Sequence, residues 1–91
     1  DMEEVINLYK FSLISSSSAH PFLEPSKEFQ VEDILQLKNG NILIDVGYYN
    51  SVLTIFVVYD YNWESPLIKR EYQSWENMLK DLTTICLDFS M

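Results

Sequence analysis

The longest apolar run in the chain, Ser51-Val52-Leu53-Thr54-Ile55-Phe56-Val57-Val58-Tyr59-Asp60-Tyr61, constrains the fold most. It is rich in β-branched and aromatic residues and reads as a strand. Val52, Thr54, Phe56 and Val58 share one face, and Leu53, Ile55, Val57, Tyr59 and Tyr61 share the other. Both faces are apolar, which predicts a central strand covered on both sides, with Phe56 among the most buried residues. The run is too short to cross a membrane, which takes about 20 apolar residues.

The flanking segments supply partners for that strand. Asn41 to Gly47 alternates, with Ile42, Ile44 and Val46 on one face and Asn41, Leu43 and Asp45 on the other, and is a second strand. Gly47-Tyr48-Tyr49-Asn50 is expected to form the turn between the two. Beyond the central strand, Asp60 to Pro66 is a turn-rich aromatic loop, and Leu67 to Tyr72 returns as an edge strand guarded by Lys69 and Arg70. Ser74 then caps a final helix, with Trp75, Met78, Leu79, Leu82, Ile85 and Cys86 on its inner stripe.

The N-terminal half admits alternatives. Met2, Val5, Ile6, Tyr9 and Leu13 fit an amphipathic helix over residues 2–14, and Asp1, Glu3 and Glu4 suit its positive end. The competing reading is a strand from Leu8 to Ile14; the helix is preferred. Four serines, Ser15 to Ser18, end this element and open a loop through Pro21 and Pro25, pinned by Phe22 and Leu23. Residues 27–37 read as a short helix capped by Ser26, or in their second half as a strand. In the latter case Lys38-Asn39-Gly40-Asn41 forms a hairpin turn, although a glycine here also suits a helix C-cap. The expected fold is therefore α+β: a small antiparallel sheet of three to four strands, with N-terminal and C-terminal helices packed on it. Residues 1–91 form one small domain. A central strand dry on both faces needs a helix on each, or a second copy of the chain on one, so a homodimer is also expected to be open to it.

The formal net charge is −8. Such a surface repels nucleic acid and anionic membranes and attracts basic partners. The basic residues are Lys10, Lys27, Lys38, Lys69, Arg70 and Lys80, of which only Lys69-Arg70 is a cluster, so direct nucleic-acid binding and membrane binding are not expected. The single cysteine, Cys86, excludes an internal disulfide and suits a reducing compartment; with an acidic N-terminus that does not read as a signal peptide, a cytoplasmic location is expected.

Chemistry-bearing motifs are absent. No GxxxxGK[ST], HExxH, CxxC or Ca²⁺-loop pattern occurs. His20 has only Glu24 as a nearby acid, which fits a loop-packing or surface role. Cys86, on the inner stripe of a helix, fits a buried structural thiol. The chain is thus expected to be non-enzymatic, without metal or cofactor. The suggestive feature is a set of turn aromatics, Tyr48, Tyr49, Tyr61 and Trp63, fringed by Asp45, Asp60 and Glu64. Aromatic anchors among carboxylates suit a protein-binding face for a basic partner. The plain alternative is that the rings cover the ends of the sheet core.

The C-terminal stretch Glu71-Tyr72 … Asp81-Leu82-Thr83-Thr84-Ile85-Cys86-Leu87 resembles the tail of small acidic phage anti-CRISPR proteins that block the type II effector nuclease. Those tails carry a Glu-Tyr pair, then Asp, an apolar residue and a Thr-Ile-x-Leu run. The plan of an acidic chain with an N-terminal helix, a small antiparallel sheet and a C-terminal helix is similar too. The long acidic runs with which such inhibitors imitate DNA phosphates are replaced here by scattered acids. The resemblance implies a non-enzymatic inhibitor of a nucleic-acid-handling enzyme such as a nuclease. An immunity protein or antitoxin that neutralises a basic toxin would show the same acidity, size and aromatic fringe. An oligomeric subunit or adaptor domain is the third reading.

Overall fold

Val52–Tyr59 is a strand with a neighbour on each side, as its two apolar faces require. In the computed structural model of the chain, which describes residues 6–90, it is the fourth of five strands found among the described residues. These are β1 (Ser12–Ser16), β2 (Leu35–Asn39), β3 (Ile42–Tyr49), β4 (Val52–Tyr59) and β5 (Ile68–Tyr72). They form one antiparallel sheet in the order β1-β2-β3-β4-β5, so each strand pairs with its neighbours in sequence. One helix, α1 (Trp75–Asp88), follows and packs on one sheet face.

The connections explain the register. Asn39 pairs with Ile42, so Gly40-Asn41 is a two-residue hairpin loop, and Gly40 takes the left-handed φ of 60° that a glycine adopts without strain. The Asn-Gly signal thus marks a hairpin, and the second half of residues 27–37 is strand. The first half contains a short 3-10 turn, Lys27–Phe29. Tyr49 pairs with Val52, leaving Asn50-Ser51 as the next loop, both at positive φ (54° and 66°). The expected turn at residues 47–50 is therefore displaced: Gly47, Tyr48 and Tyr49 belong to β3, because the two-residue loop needs only Asn50 and Ser51.

The N-terminal helix is not what the described residues form. Residues 2–5 of that expectation lie outside them, and Ser12–Ser16 is an edge strand paired with β2 through a register shift at Ile14. Segment 6–11 docks without regular structure. Phe11 is buried in the core, Ile6 and Leu8 pack against it, and the Lys10 amide donates to Ser90 Oγ (3.0 Å) beyond the end of α1. Five strands replace the expected three to four because both β1 and β2 come from segments for which helix was in play.

The helix face of the sheet is the main core. Leu35, Leu37, Ile44, Val46, Leu53, Ile55 and Val57 meet Trp75, Met78, Leu79, Leu82, Ile85 and Cys86, the whole stripe expected from the sequence. The Ser74 side chain accepts from the Asn77 amide (3.1 Å), the N-cap that starts α1. Arg70 of β5 pairs with Asp81 of α1 (2.9 Å), and the Tyr72 hydroxyl donates to the same carboxylate, tying the edge strand to the helix. Trp75 Nε1 donates to the Phe22 carbonyl (2.9 Å), which fixes the proline loop; Phe22 packs on the core, whereas Leu23 stays exposed.

The opposite face is the unusual one. Leu43 and Val58, paired across β3 and β4, are buried although no helix among the described residues lies over them. The β4–β5 connection turns at Asp60 and Tyr61, both at positive φ, and folds back over this side. Lys38 Nζ donates to the Tyr61 hydroxyl (2.8 Å), and Trp63 meets Phe56 edge-on at 6.2 Å between ring centres. The second apolar row is thus partly covered by the chain's own aromatic loop, in place of the expected N-terminal helix. Phe56, expected in the deepest core, is only half-buried because its cover is that loop.

Candidate functional site

Between the loop and the strands the open face keeps a groove of about 420 Å³, lined by Asp33, Gln36, Asp45, Tyr49, Phe56 and Trp63. Register builds its floor. Gln36, Asp45, Phe56 and Lys69 lie opposite one another on β2, β3, β4 and β5, so their side chains share the face away from α1. Tyr49 stands four residues after Asp45 on the same face. Tyr49 and Phe56 meet edge-on at 5.2 Å, so the sequence Tyr49, Phe56, Trp63 forms a run of three contacting rings.

Asp45 is the centre. It is 1% exposed, in a strand where its neighbours are apolar. Its Oδ2 accepts from Gln36 Nε2 (3.1 Å) and lies 3.1 Å from the Tyr49 hydroxyl, while its Oδ1 is buried without a hydrogen-bond partner among the described residues. An orphaned buried carboxylate oxygen is costly and calls for an explanation. Burial, followed by the neighbouring Asp33, pushes the Asp45 carboxyl up to about 7, against the smaller pull of its donors Gln36 and Tyr49.

Asp33 completes the arrangement. The Tyr49 hydroxyl is 2.9 Å from Asp33 Oδ1 and thus sits between two carboxyls. A phenol has one proton to donate, so both contacts are satisfied together only when one carboxyl is itself protonated. Burial and then Asp33, ahead of Asp45, push the Tyr49 phenol well above its ordinary range, so it remains neutral. Asp33, Tyr49 and Asp45 form a cluster that takes up one spare proton as pH falls below about 7.

A glycine brings Asp33 there. The Tyr48 amide donates to the Val31 carbonyl (2.9 Å), so segment 31–33 runs on beside β3 past the end of β2. A Cβ on Gly47 would lie 2.6 Å from the Asp33 backbone nitrogen and 3.2 Å from the Glu32 carbonyl carbon. Only a residue without a side chain lets this segment, with Asp33 at a φ of 58°, cross so closely. Gly47→Ala is expected to cost about 1–3 kcal/mol of stability by forcing backbone apart. It should also shift the Asp33 and Tyr49 resonances in an NMR spectrum; an unchanged spectrum would show that the close approach does not position Asp33.

The sequence-predicted site residues divide accordingly. Asp45, Tyr49 and Trp63 come together in the groove. Tyr61 and Asp60 sit at the turn that carries the loop over it, Tyr61 bound to Lys38, and Glu64 is exposed next to Trp63. Tyr48 does not join them. It is adjacent to Tyr49 in a strand, so it points to the other face, where it packs against the core; burial and then Glu24 raise its phenol. Assigning residues 47–50 to a turn removed the alternation that would have separated the two tyrosines.

Three groove residues were missed. Gln36 lay in a segment read as helix or strand, yet the Asn39-Gly40 hairpin places it opposite Asp45 once its register is counted out. Phe56 was assigned to the core. Asp33 left no signal besides Gly47, a glycine inside an alternating strand, which marks a close backbone approach. Comparison with family models, curated proteins and solved structures gave no match for this chain.

Proposed function

We propose that the chain is a non-enzymatic, acidic protein-binding inhibitor that receives a basic protein, of the nucleic-acid-handling kind, on the groove face of its sheet. The observation that carries this reading is the run of Tyr49, Phe56 and Trp63 around a buried carboxylate, on a molecule of net charge −8. Trp63 is 45% exposed and Tyr61 55% exposed. Large rings that stand half in water, with carboxylates around them, supply what a heteromeric interface concentrates at its centre and rim. The distributed acids speed the encounter with positive surface, and the rings hold the complex once formed.

The groove offers binding groups more than reaction groups. Cys86 lies on the far side of the sheet in the helix core, and its thiol is pushed up to about 11 by burial. Asp45 and Asp33 have rings, an amide and a phenol as companions, a set that recognises cations and hydrogen-bond donors.

Capture of partners from host cells with the immobilised chain, read by mass spectrometry, should yield a basic protein. Its association with the purified chain should slow as salt shortens the reach of the charges to about 10 Å at 0.1 M. Neutralising Asp60 and Glu64 together should slow association and flatten that salt dependence. Trp63→Ala should mainly speed dissociation, by on the order of ten-fold or more for a hot-spot tryptophan. An acidic partner, or a basic one whose binding ignores both salt and Trp63, would overturn this reading.

A further inference from the structure

We propose that the groove formed by Asp33, Asp45, Tyr49, Phe56 and Trp63 is a receptor for a single arginine side chain of the protein partner. The proposal rests on the protein-binding reading and specifies what that surface recognises.

Three independent features converge on a cation. Asp45 Oδ1 is buried, lacks a donor, and belongs to a residue that lines the groove. A buried acceptor without a donor among the described residues is a place where a partner's N–H is worth most once the cluster's spare proton has left. The second feature is the run of rings, which presents π surface beside that carboxyl. The third is the behaviour of the chain's own cations: Lys69 Nζ stands over the Phe56 ring at 5.7 Å, and Lys38 Nζ lies 5.1 Å from the centre of the Tyr61 ring. Lys69 thus meets a ring of the groove floor and Lys38 a ring of the loop, and neither is hydrogen-bonded to Asp45, whose Oδ2 is held by Gln36 and Tyr49.

The chemistry selects guanidinium over ammonium. A guanidinium is planar, weakly hydrated and stacks on aromatic faces while donating two parallel N–H bonds to oxygen acceptors. Asp33 and Asp45, bridged by one phenol, offer those acceptors at the end of an aromatic wall. A lysine ammonium is a strongly hydrated point charge and would surrender more of its hydration against the ring faces.

The charged and titratable groups on the face of Asp45 are Asp33 from the segment before β2, Tyr49 from β3 and Lys69 from β5, with Lys38 of β2 and Glu71 of β5 further along it. With the spare proton resident, the cluster carries less negative charge than its two carboxyls suggest. Entry of a permanent cation favours the carboxylate, so below about neutral pH the proton leaves as the arginine arrives.

The test uses the full chain, ¹⁵N-labelled, titrated with a blocked tripeptide Gly-Arg-Gly and with its lysine and citrulline counterparts. The arginine peptide should shift the Trp63 indole and the amides around Asp45 and Tyr49. The lysine peptide should bind several-fold more weakly, and the neutral citrulline peptide should give no saturable shift. Asp45→Asn should weaken the arginine peptide by at least about ten-fold, the scale of a lost charge-assisted hydrogen bond. Asp88→Asn, at the exposed end of α1, should leave it unchanged. Calorimetry at pH 6 in two buffers of different ionisation enthalpy should show proton release in the parent and none in Asp45→Asn. Equal shifts with arginine and lysine, or an unaffected Asp45→Asn protein, would overturn the proposal, as would preference for free arginine over the blocked peptide. If the arginine peptide fails while a captured basic partner still depends on Trp63 and salt, the receptor is wrong and the protein-binding reading stands. If the peptide binds while the captured partner ignores Trp63 and salt, the reading on which the receptor rests is the one that fails.

Discussion

At pH 8 the Asp45→Asn protein should be more stable than its parent, by roughly 2–4 kcal/mol. The sign follows from proton linkage. Asp45 has its carboxyl raised from 3.8 to about 7 in the folded chain, first by burial and then by Asp33. Between those two values the folded state binds more protons at this position than the unfolded chain does. The stability that Asp45 allows is therefore full below about pH 4 and falls as pH rises toward 7. A tenfold difference in proton affinity corresponds to about 1.4 kcal/mol, which sets the upper end of the range. Asparagine keeps the shape, keeps an acceptor for Gln36 Nε2, and adds an amide that can donate to Asp33 or Tyr49. Denaturant unfolding of both proteins at pH 4.5 and pH 8 checks this. The gain should be small at the lower pH and large at the higher one. Equal gains at both, or a loss at pH 8, would show that the buried carboxylate is better solvated than its surroundings indicate. A residue that lowers the stability of its own fold and sits in the groove is the pattern expected of a binding site.

Leu82→Ala should have the opposite effect, lowering the unfolding free energy by about 2–5 kcal/mol. Leu82 is fully buried at the middle of α1, within the cluster that includes Leu37, Ile44, Ile55 and Met78. The helix is the only one on this face among the described residues, so the cavity left behind cannot be closed by a neighbouring helix sliding in. A loss of that size is a large share of the stability of a small domain. Phe56→Ala should be milder for the fold, since Phe56 is half-buried under a loop, and the comparison of the two variants separates core from groove. A Leu82→Ala protein that unfolds at the parent's denaturant midpoint would mean that α1 contributes little to the core.

Periodicity made most of the main core readable. The stripe on α1 and the alternation of Ile42, Ile44 and Val46 each follow from one repeating interval, and each was found where expected. β1 was not, because Ser12–Ser16 is mostly exposed, carries three serines in five residues and shifts register at Ile14, so no interval survives. The groove was half legible for a related reason. Asp45, Tyr49 and Trp63 are an acid and two aromatics close to one another from the middle of the chain onward. Gln36 and Asp33 reach them only through a hairpin register and a backbone crossing over Gly47, both properties of pairing between segments. Tyr48 shows the converse: proximity in sequence suggested partnership with Tyr49, and a strand sends neighbours apart.

The order β1-β2-β3-β4-β5 also bears on how the chain acquires its structure. Each pairing joins strands adjacent in sequence, so the entropy of closing long loops is low and assembly is fast for a sheet protein. The β3–β4 hairpin, with its two-residue turn and longest ladder, is the natural place for assembly to start, on a timescale of about 1–10 μs for a hairpin. β1 is the exception. It is separated from β2 by the long stretch holding Pro21 and Pro25, and it buries little of its own surface. The most N-terminal of these five strands thus gains least from docking, and its exposure lets thermal fluctuation lift it away while the β3–β4 pair and its groove stay whole.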